Sequence, residues 1–226
     1  FSVAGLARYQ VEHELISALT RASADEQEAV LGAACARLRR AGWLPVEPFG
    51  EQHLADLRET ADAAAGAWHT LQAQYPHSLP RCELEWSTEV QDVPVVVEHW
   101  LDGLLGDADD HRLHLRIVAV KTKDRPDKCR DLWVEHLLAC ACGHPVESRL
   151  LAGDVSHVLA PLDAEAAGQQ LETLIDAWLT GLCQPLPLAL RTGFAFAGEM
   201  VNSGDADKAR GKARTAFTGN SPYKTG

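Results

Sequence analysis

Leu115-Arg116-Ile117-Val118-Ala119-Val120-Lys121-Thr122 is the stretch whose reading decides the fold. Its β-branched residues predict a strand that begins near Arg112 and runs through Ile117 to Lys121. Upstream, Trp100-Leu101-Asp102-Gly103-Leu104 closes another strand, over 93–101, which holds the run Val95-Val96-Val97. A further strand, over 82–89, sets Cys82, Leu84 and Trp86 on one side and Glu83, Glu85 and Ser87 on the other. That alternation is the mark of a half-buried strand. Gly106 to Asp110 has the composition of a turn. The expectation is a three-stranded meander over 82–121.

Outward from the meander, the first 75 residues read as helices. Apolar spacing predicts them over 3–20, 24–41 and 51–74. Gly42 is placed to stop the second. Pro45 and Pro48 forbid simple continuation, and the third ends before Pro76. Downstream, Pro126 opens a helix to about Cys142, ended by Gly143. Short strands are expected at 148–151 and 156–160. Asp163 caps a helix whose stripe is Ala167, Leu171, Leu174, Ile175, Trp178, Leu179 and Leu182. A strand near 188–196 and a basic helix near 207–217 complete the chain. Trp100, Trp133 and Trp178 are expected in the core. The order predicts a mixed α/β layer architecture, with a helical part over 1–80 and an α/β core over 81–226.

A chain of 226 residues buries roughly 70–75% of its unfolded surface and needs neither disulfides nor a structural metal to fold. Hydrophobic content of 46% and charged content of 23% are those of a soluble globular protein. No apolar run reaches the roughly 18 residues of a membrane helix, and no secretory signal opens the chain. The first residue, Phe1, points to a fragment of a longer polypeptide. Six cysteines, at 35, 82, 129, 140, 142 and 183, read as reduced and mostly buried thiols of a cytoplasmic protein. The net charge of −11 argues against a surface wholly devoted to nucleic acid, and leaves room for a local basic patch.

Asp102 at a strand end, then Lys121 on a neighbouring strand, is the layout of metal-dependent nucleases: Asp, then (Asp/Glu)-x-Lys. Two carboxylates hold Mg²⁺, which stabilises charge at the scissile phosphate. The lysine, two residues on and so on the same face, orients the attacking water. Here the middle carboxylate is Ala119. The residues two before the six lysines are Ala119, Lys121, Pro126, Ala206, Arg210 and Pro222, so no shift of register supplies an acid. The pattern predicts a degenerate restriction-endonuclease-like, PD-(D/E)xK nuclease core with a central mixed sheet flanked by helices. Asp102, Ala119 and Lys121 are its vestigial positions, with no catalytic set and no metal. The plain alternative makes Asp102 a turn residue and Lys121 an exposed strand end. Another keeps an active nuclease, with Glu85, Glu89 or Glu98 as a migrated carboxylate.

Other clusters carry less. His136 and Cys140 share a helix face, but with Cys142 and His144 they match no zinc spacing and read as thiols at a helix end. His111 and His114 are expected to face solvent. Phosphate loops, dinucleotide-binding glycines and Gly-x-Ser-x-Gly are absent from the sequence. Lys208, Arg210, Lys212 and Arg214 form i,i+4 pairs on the last helix. They fit a nucleic-acid or acidic-partner contact, or equally a solvated face balancing Asp205 and Asp207.

An ordered set of short segments resembles the C-terminal region of the RecC family, the gamma chain of exodeoxyribonuclease V. It comprises Gly5-Leu6-Ala7-Arg8-Tyr9-Gln10, Ala41-Gly42 through Leu44-Pro45, Phe49-Gly50-Glu51 and Leu132-Trp133-Val134-Glu135-His136-Leu137. Gly143, Glu147-Ser148-Arg149-Leu150, Pro161-Leu162 leading into Ala164-Glu165-Ala166-Ala167, and Lys212-Ala213-Arg214-Thr215 with Phe217 follow. The resemblance implies an inactive nuclease-like domain in a helicase–nuclease that processes double-strand DNA ends. It further implies contacts with RecB and RecD, DNA handled within the complex, Mg²⁺ and ATP used by the partner subunits, and no cofactor in this domain. The strand-splitting hairpin that such a chain helps provide is not placed by the matching residues. A binding module of unrelated type, using the basic helix, is the remaining alternative.

Overall fold

A computed structural model describes residues 5–20, 22, 25–43, 49–109, 111–118, 129–151, 156–186 and 189–219. Three helices lead: α1 (Gly5–Leu19), α2 (Gln27–Arg40) and α3 (Phe49–Gln74). Val11, Leu15, Ile16 and Leu19 of α1 recur at helical spacing, so they share one face. That face packs with Leu31, Ala34, Cys35 and Leu38 of α2 and Ala61, Ala64 and Ala65 of α3. Gly42 ends α2 as expected. With φ of +74° it lets Trp43 N–H reach the Leu38 carbonyl and its own N–H reach Arg39, both at 3.0 Å.

Among the described residues seven strands follow: β1 (His77–Ser78), β2 (Cys82–Val90), β3 (Val93–Leu101), β4 (Leu104–Gly106), β5 (Arg112–Ile117), β6 (Glu147–Leu151) and β7 (Ser156–Leu159). Helix α4 (Arg130–Ala141) lies between β5 and β6, and α5 (Ala164–Cys183), α6 (Leu190–Ser203) and α7 (Ala206–Thr218) close the chain. The sheet has the order β1-β4-β5-β6-β7. Its pairs are antiparallel except β5 and β6, which run parallel and are therefore joined by the α4 crossover. Strands β2 and β3 form a separate two-stranded hairpin.

The three-stranded meander is thus corrected. Strand β5 pairs with β4 and β6, not with β3. Strand β4 has three residues, too few to show a period, and Gly103 makes the corner before it. Its φ is +70°, and a Cβ there would stand 2.5 Å from the Leu115 carbonyl oxygen. The hairpin turns at Gln91-Asp92, both with positive φ, the two-residue turn that suits strand twist.

Helices cover both sides of the sheet. Leu105, Leu113, Leu115 and Leu151 pack on one side with Leu71, Ala67 and Trp68 of α3. On the other, Leu104, Leu137, Leu138, Ala139 and Cys140 meet Leu84 and Leu101 of the hairpin and Ala167 and Leu171 of α5. Each fully buried leucine contributes roughly 1.5–3 kcal/mol by leaving water. Asp163 caps α5, its carboxylate accepting the Ala166 N–H at 2.8 Å.

Three more expectations are overturned. The strand near 188–196 is the front of α6: Leu190, Phe194, Ala197 and Val201 lie at i, i+4, i+7 and i+11, and no strand partners them. Trp100 and Trp178 are exposed, and Trp100 instead stacks under the Arg81 guanidinium at 4.4 Å. None of the six cysteines is in a disulfide, but only Cys35 and Cys140 are buried. Among the described residues, no helix is long and apolar enough to cross a membrane.

Candidate functional site

Strand β5 sits mid-sheet with helices on both sides, so both its faces are covered. Leu113 and Leu115 turn toward α3, and the alternation sends His114 and Arg116 toward α4. There they meet Glu135, one turn beyond Asp131 on α4. The Arg116 Nε lies 2.8 Å from Glu135 Oε2. His114 Nε2 stands 3.4 Å from the same oxygen, and His99 Nε2 of the hairpin lies 3.5 Å from Oε1. Oε2 is sealed from water, and among the described residues no well-angled hydrogen bond reaches it. Its partner is the charge of Arg116.

Behind Glu135 runs a buried polar chain. His114 Nδ1 is 3.2 Å from Ser148 Oγ, and His136 Nδ1 is 2.9 Å from that oxygen. His136 Nε2 is 3.9 Å from Cys140 Sγ. His114 is 1% exposed, so the expectation that it faces solvent is wrong; His111 is exposed, as expected. Burial, aided by Arg116, His136 and His99, pushes His114 down to about 4. Burial also lowers His136, an effect partly offset by the Ala160 carbonyl. Both imidazoles are therefore neutral near pH 7. Each ring meets the Ser148 hydroxyl through Nδ1, and the tautomer of each ring sets which of the two donates to that oxygen and which accepts from it. Burial holds the Glu135 carboxyl above its ordinary range, opposed by Arg116 and His99 and reinforced by Asp131 and Asp102.

Asp102 follows β3 and is exposed. It opens, with His99, His114, Arg116 and Glu135, onto a groove of about 320 Å³. Ala119 and Lys121 lie outside the described residues. Glu85 and Glu98 face each other across the hairpin, and Glu89 lies farther along β2 toward its turn. None of these three lines the Asp102 groove. Among the described residues, the one His, Cys, Asp and Glu group with metal-ligand spacing is Asp107, Asp109 and His111, in an exposed turn. There His111 Nδ1 is 2.8 Å from Asp107 Oδ2. Cys142 and His144 turn away from His136: the thiol meets the Glu85 carbonyl at 3.4 Å, and the ring stands 3.9 Å from Cys82 Sγ. On α7, Lys208 reaches Asp205 at 3.6 Å and Arg210 reaches Asp207 at 2.5 Å. Lys212 and Arg214 have no carboxylate partner among the described residues.

Two carboxylates, Asp102 and Glu135, open onto this groove, beside a neutral imidazole and a guanidinium already set on Glu135, whereas Mg²⁺ takes several oxygen ligands. Sequence reasoning found Asp102 but missed His114, Arg116 and Glu135. The available signal was the mid-sheet position of β5, which buries its polar as well as its apolar alternates.

Fold and groove define a mixed α/β domain with a charge-neutralised polar cluster at its centre. A family model for the RecC C-terminal domain matches residues 1–200, and the chain belongs to that family. It is 29% identical over 232 residues to the RecBCD enzyme subunit RecC of Escherichia coli (strain K12). That match covers 96% of this chain and 18% of the relative, so the chain spans less than a fifth of that protein's length.

Proposed function

We propose that this domain is a non-catalytic, nuclease-like scaffold in a cytoplasmic RecBCD-type helicase–nuclease, acting in double-strand break repair and recombination. The observation that carries the reading is the Arg116 guanidinium 2.8 Å from Glu135 Oε2. A carboxylate that would attract a metal is already neutralised by the protein's own cation. The motif layout supports the same view. Asp102 shares its groove with His114 and Arg116, two apart on one face of the adjoining strand. In a metal-dependent nuclease those two positions would carry the acid and the lysine. His114-Leu115-Arg116 is then a degenerate pair beside this groove, in addition to the vestige read at Ala119 and Lys121, which lie outside the described residues. Mg²⁺ and ATP belong, in this reading, to the RecB and RecD partners.

DNA handling falls to the assembled complex. The outward face of the hairpin carries Glu83, Glu85, Glu89 and Glu98 against the Arg81 guanidinium over Trp100, so its net charge disfavours phosphate. Its tip is tied down instead, with Gln91 Nε2 donating to Asp176 Oδ1 at 2.8 Å on α5. The test is Asp102→Ala in the full natural polypeptide, reconstituted with RecB and RecD chains of the same source. ATP-dependent DNA degradation is expected at the wild-type rate. A drop of a hundredfold or more, with assembly intact, contradicts the proposal.

A further inference from the structure

Ser148 stands between two imidazoles and cannot meet both in the same way. Its hydroxyl carries one proton, and the atoms facing it are His114 Nδ1 at 3.2 Å and His136 Nδ1 at 2.9 Å. A neutral imidazole bears its proton on one nitrogen only, so the row is complete when one Nδ1 donates to Ser148 and the other accepts from it. All three residues are at most 1% exposed, and water does not repair a mismatch there. At one end of the row His136 Nε2 lies 3.9 Å from Cys140 Sγ, and the Ala160 carbonyl faces the same ring. At the other, His114 Nε2 lies 3.4 Å from Glu135 Oε2.

Two arrangements satisfy Ser148, and they differ at Glu135. In the first, His136 donates to Ser148, Ser148 donates to His114 Nδ1, and His114 Nε2 carries a proton toward an ionised carboxylate. In the second, His114 Nδ1 donates to Ser148, Ser148 donates to His136 Nδ1, and His114 Nε2 is bare. A bare nitrogen beside Oε2 calls for a proton on that oxygen. Oε2 suits the role: among the described residues no N–H reaches it at a good angle, whereas an O–H of its own can turn toward His114. The second arrangement holds one proton more than the first. Three protons each shift one place toward Glu135, and the added one rests on His136 Nε2.

The surroundings of Glu135 set the balance. Arg116 and His114 face it from β5, His99 and Glu98 lie beside it on β3, Asp102 follows β3, and Asp131 shares its helix. Burial, with Asp131 and Asp102, favours the protonated carboxyl, and Arg116 and His99 favour the ionised one. His114, pushed down to about 4 chiefly by burial, is neutral in both arrangements. A protonated Glu135 no longer balances Arg116, whose half-exposed guanidinium then faces Asp102 across the groove.

We propose that His114, Ser148 and His136 form a proton relay that resets both imidazole tautomers when Glu135 is protonated, switching the groove from a closed Glu135–Arg116 pair to a released guanidinium. The proposal rests on the scaffold reading above, in which Arg116 and no metal balances Glu135. The test is NMR of this chain, labelled with ¹⁵N in its histidine rings and ¹³C in its glutamate carboxyls, from pH 7.5 down through the midpoint of Glu135. The shift of each nitrogen tells a protonated atom from a bare one. As Glu135 titrates, the bare nitrogen is expected to change from Nδ1 to Nε2 in His114 and from Nε2 to Nδ1 in His136, with both rings neutral. Ser148→Ala should let Glu135 titrate while His136 stays fixed. Glu135→Gln should abolish the change in both rings, and it decides alone if Ser148→Ala does not fold. Tautomers that stay put while Glu135 titrates place its proton on Oε1, toward His99, and overturn the relay alone. A change that persists in Glu135→Gln overturns it too. Stoichiometric Mn²⁺ binding that broadens the His114 signals at pH 7.5 would remove the scaffold reading and the relay with it.

Discussion

Replacing Arg116 by alanine takes the cation away from Glu135 and leaves a carboxylate whose Oε2 is sealed from water. Breaking a fully buried ion pair costs about 3–5 kcal/mol. Arg116 is 43% exposed and Glu135 12%, so water screens part of the loss, and about 1–2 kcal/mol is expected near pH 7.5. The loss should depend on pH. Glu135 already holds its proton above the ordinary range, and losing Arg116 raises it further. A group whose folded pKa is raised contributes stability that is full below its unfolded value of 4.5 and is lost as pH rises through the folded one. The cost of Arg116→Ala should therefore shrink from pH 7.5 toward pH 5, because the carboxyl takes up its proton above the ordinary range. Urea unfolding of wild type, Arg116→Ala, Glu135→Gln and the double variant at both pH values measures it. The cycle should show coupling at pH 7.5 that fades at pH 5. Equal losses at the two pH values, or additive effects at pH 7.5, would refute the reasoning.

His114, held at about 4 against an ordinary 6.5, has the opposite sign. Its contribution is present above 6.5 and lost as pH falls toward 4, about 3 kcal/mol by that point, and an NMR titration should show its ring unprotonated at pH 5. Gly103→Ala drives a Cβ into the Leu115 carbonyl at positive φ and should cost at least about 2 kcal/mol in chemical denaturation. Asp163→Ala removes the α5 cap and should cost about 1 kcal/mol by the same assay.

The parts of the fold legible in the sequence are those with a long period or a strong stop. The front of the α5 stripe, Ala167, Leu171 and Ile175, with its Asp163 cap, the β2 and β3 alternation, and the Gly42 and Gly143 stops stand where residue spacing puts them, whereas Trp178 and Leu182 farther along the stripe are exposed. Three-residue β4 offered no period, so β5 was joined to the wrong neighbour. Phe194-Ala195-Phe196 alternates like a strand, yet it lies in a helix because no edge in the sheet receives it. The site was half legible. Asp102 stood out by its place at a strand end. His114, Arg116 and Glu135 come together only because a crossover helix lays residue 135 over strand residues 114 and 116, a contact that no local pattern encodes.

The central claim is that a protein cation, and not a metal, neutralises the carboxylate in the groove. Titrating Mn²⁺ into the domain, with water-proton relaxation as the readout, tests it most directly. The account predicts no tight site in wild type and no difference between wild type and Asp102→Ala. Stoichiometric Mn²⁺ binding that Asp102→Ala abolishes would contradict it.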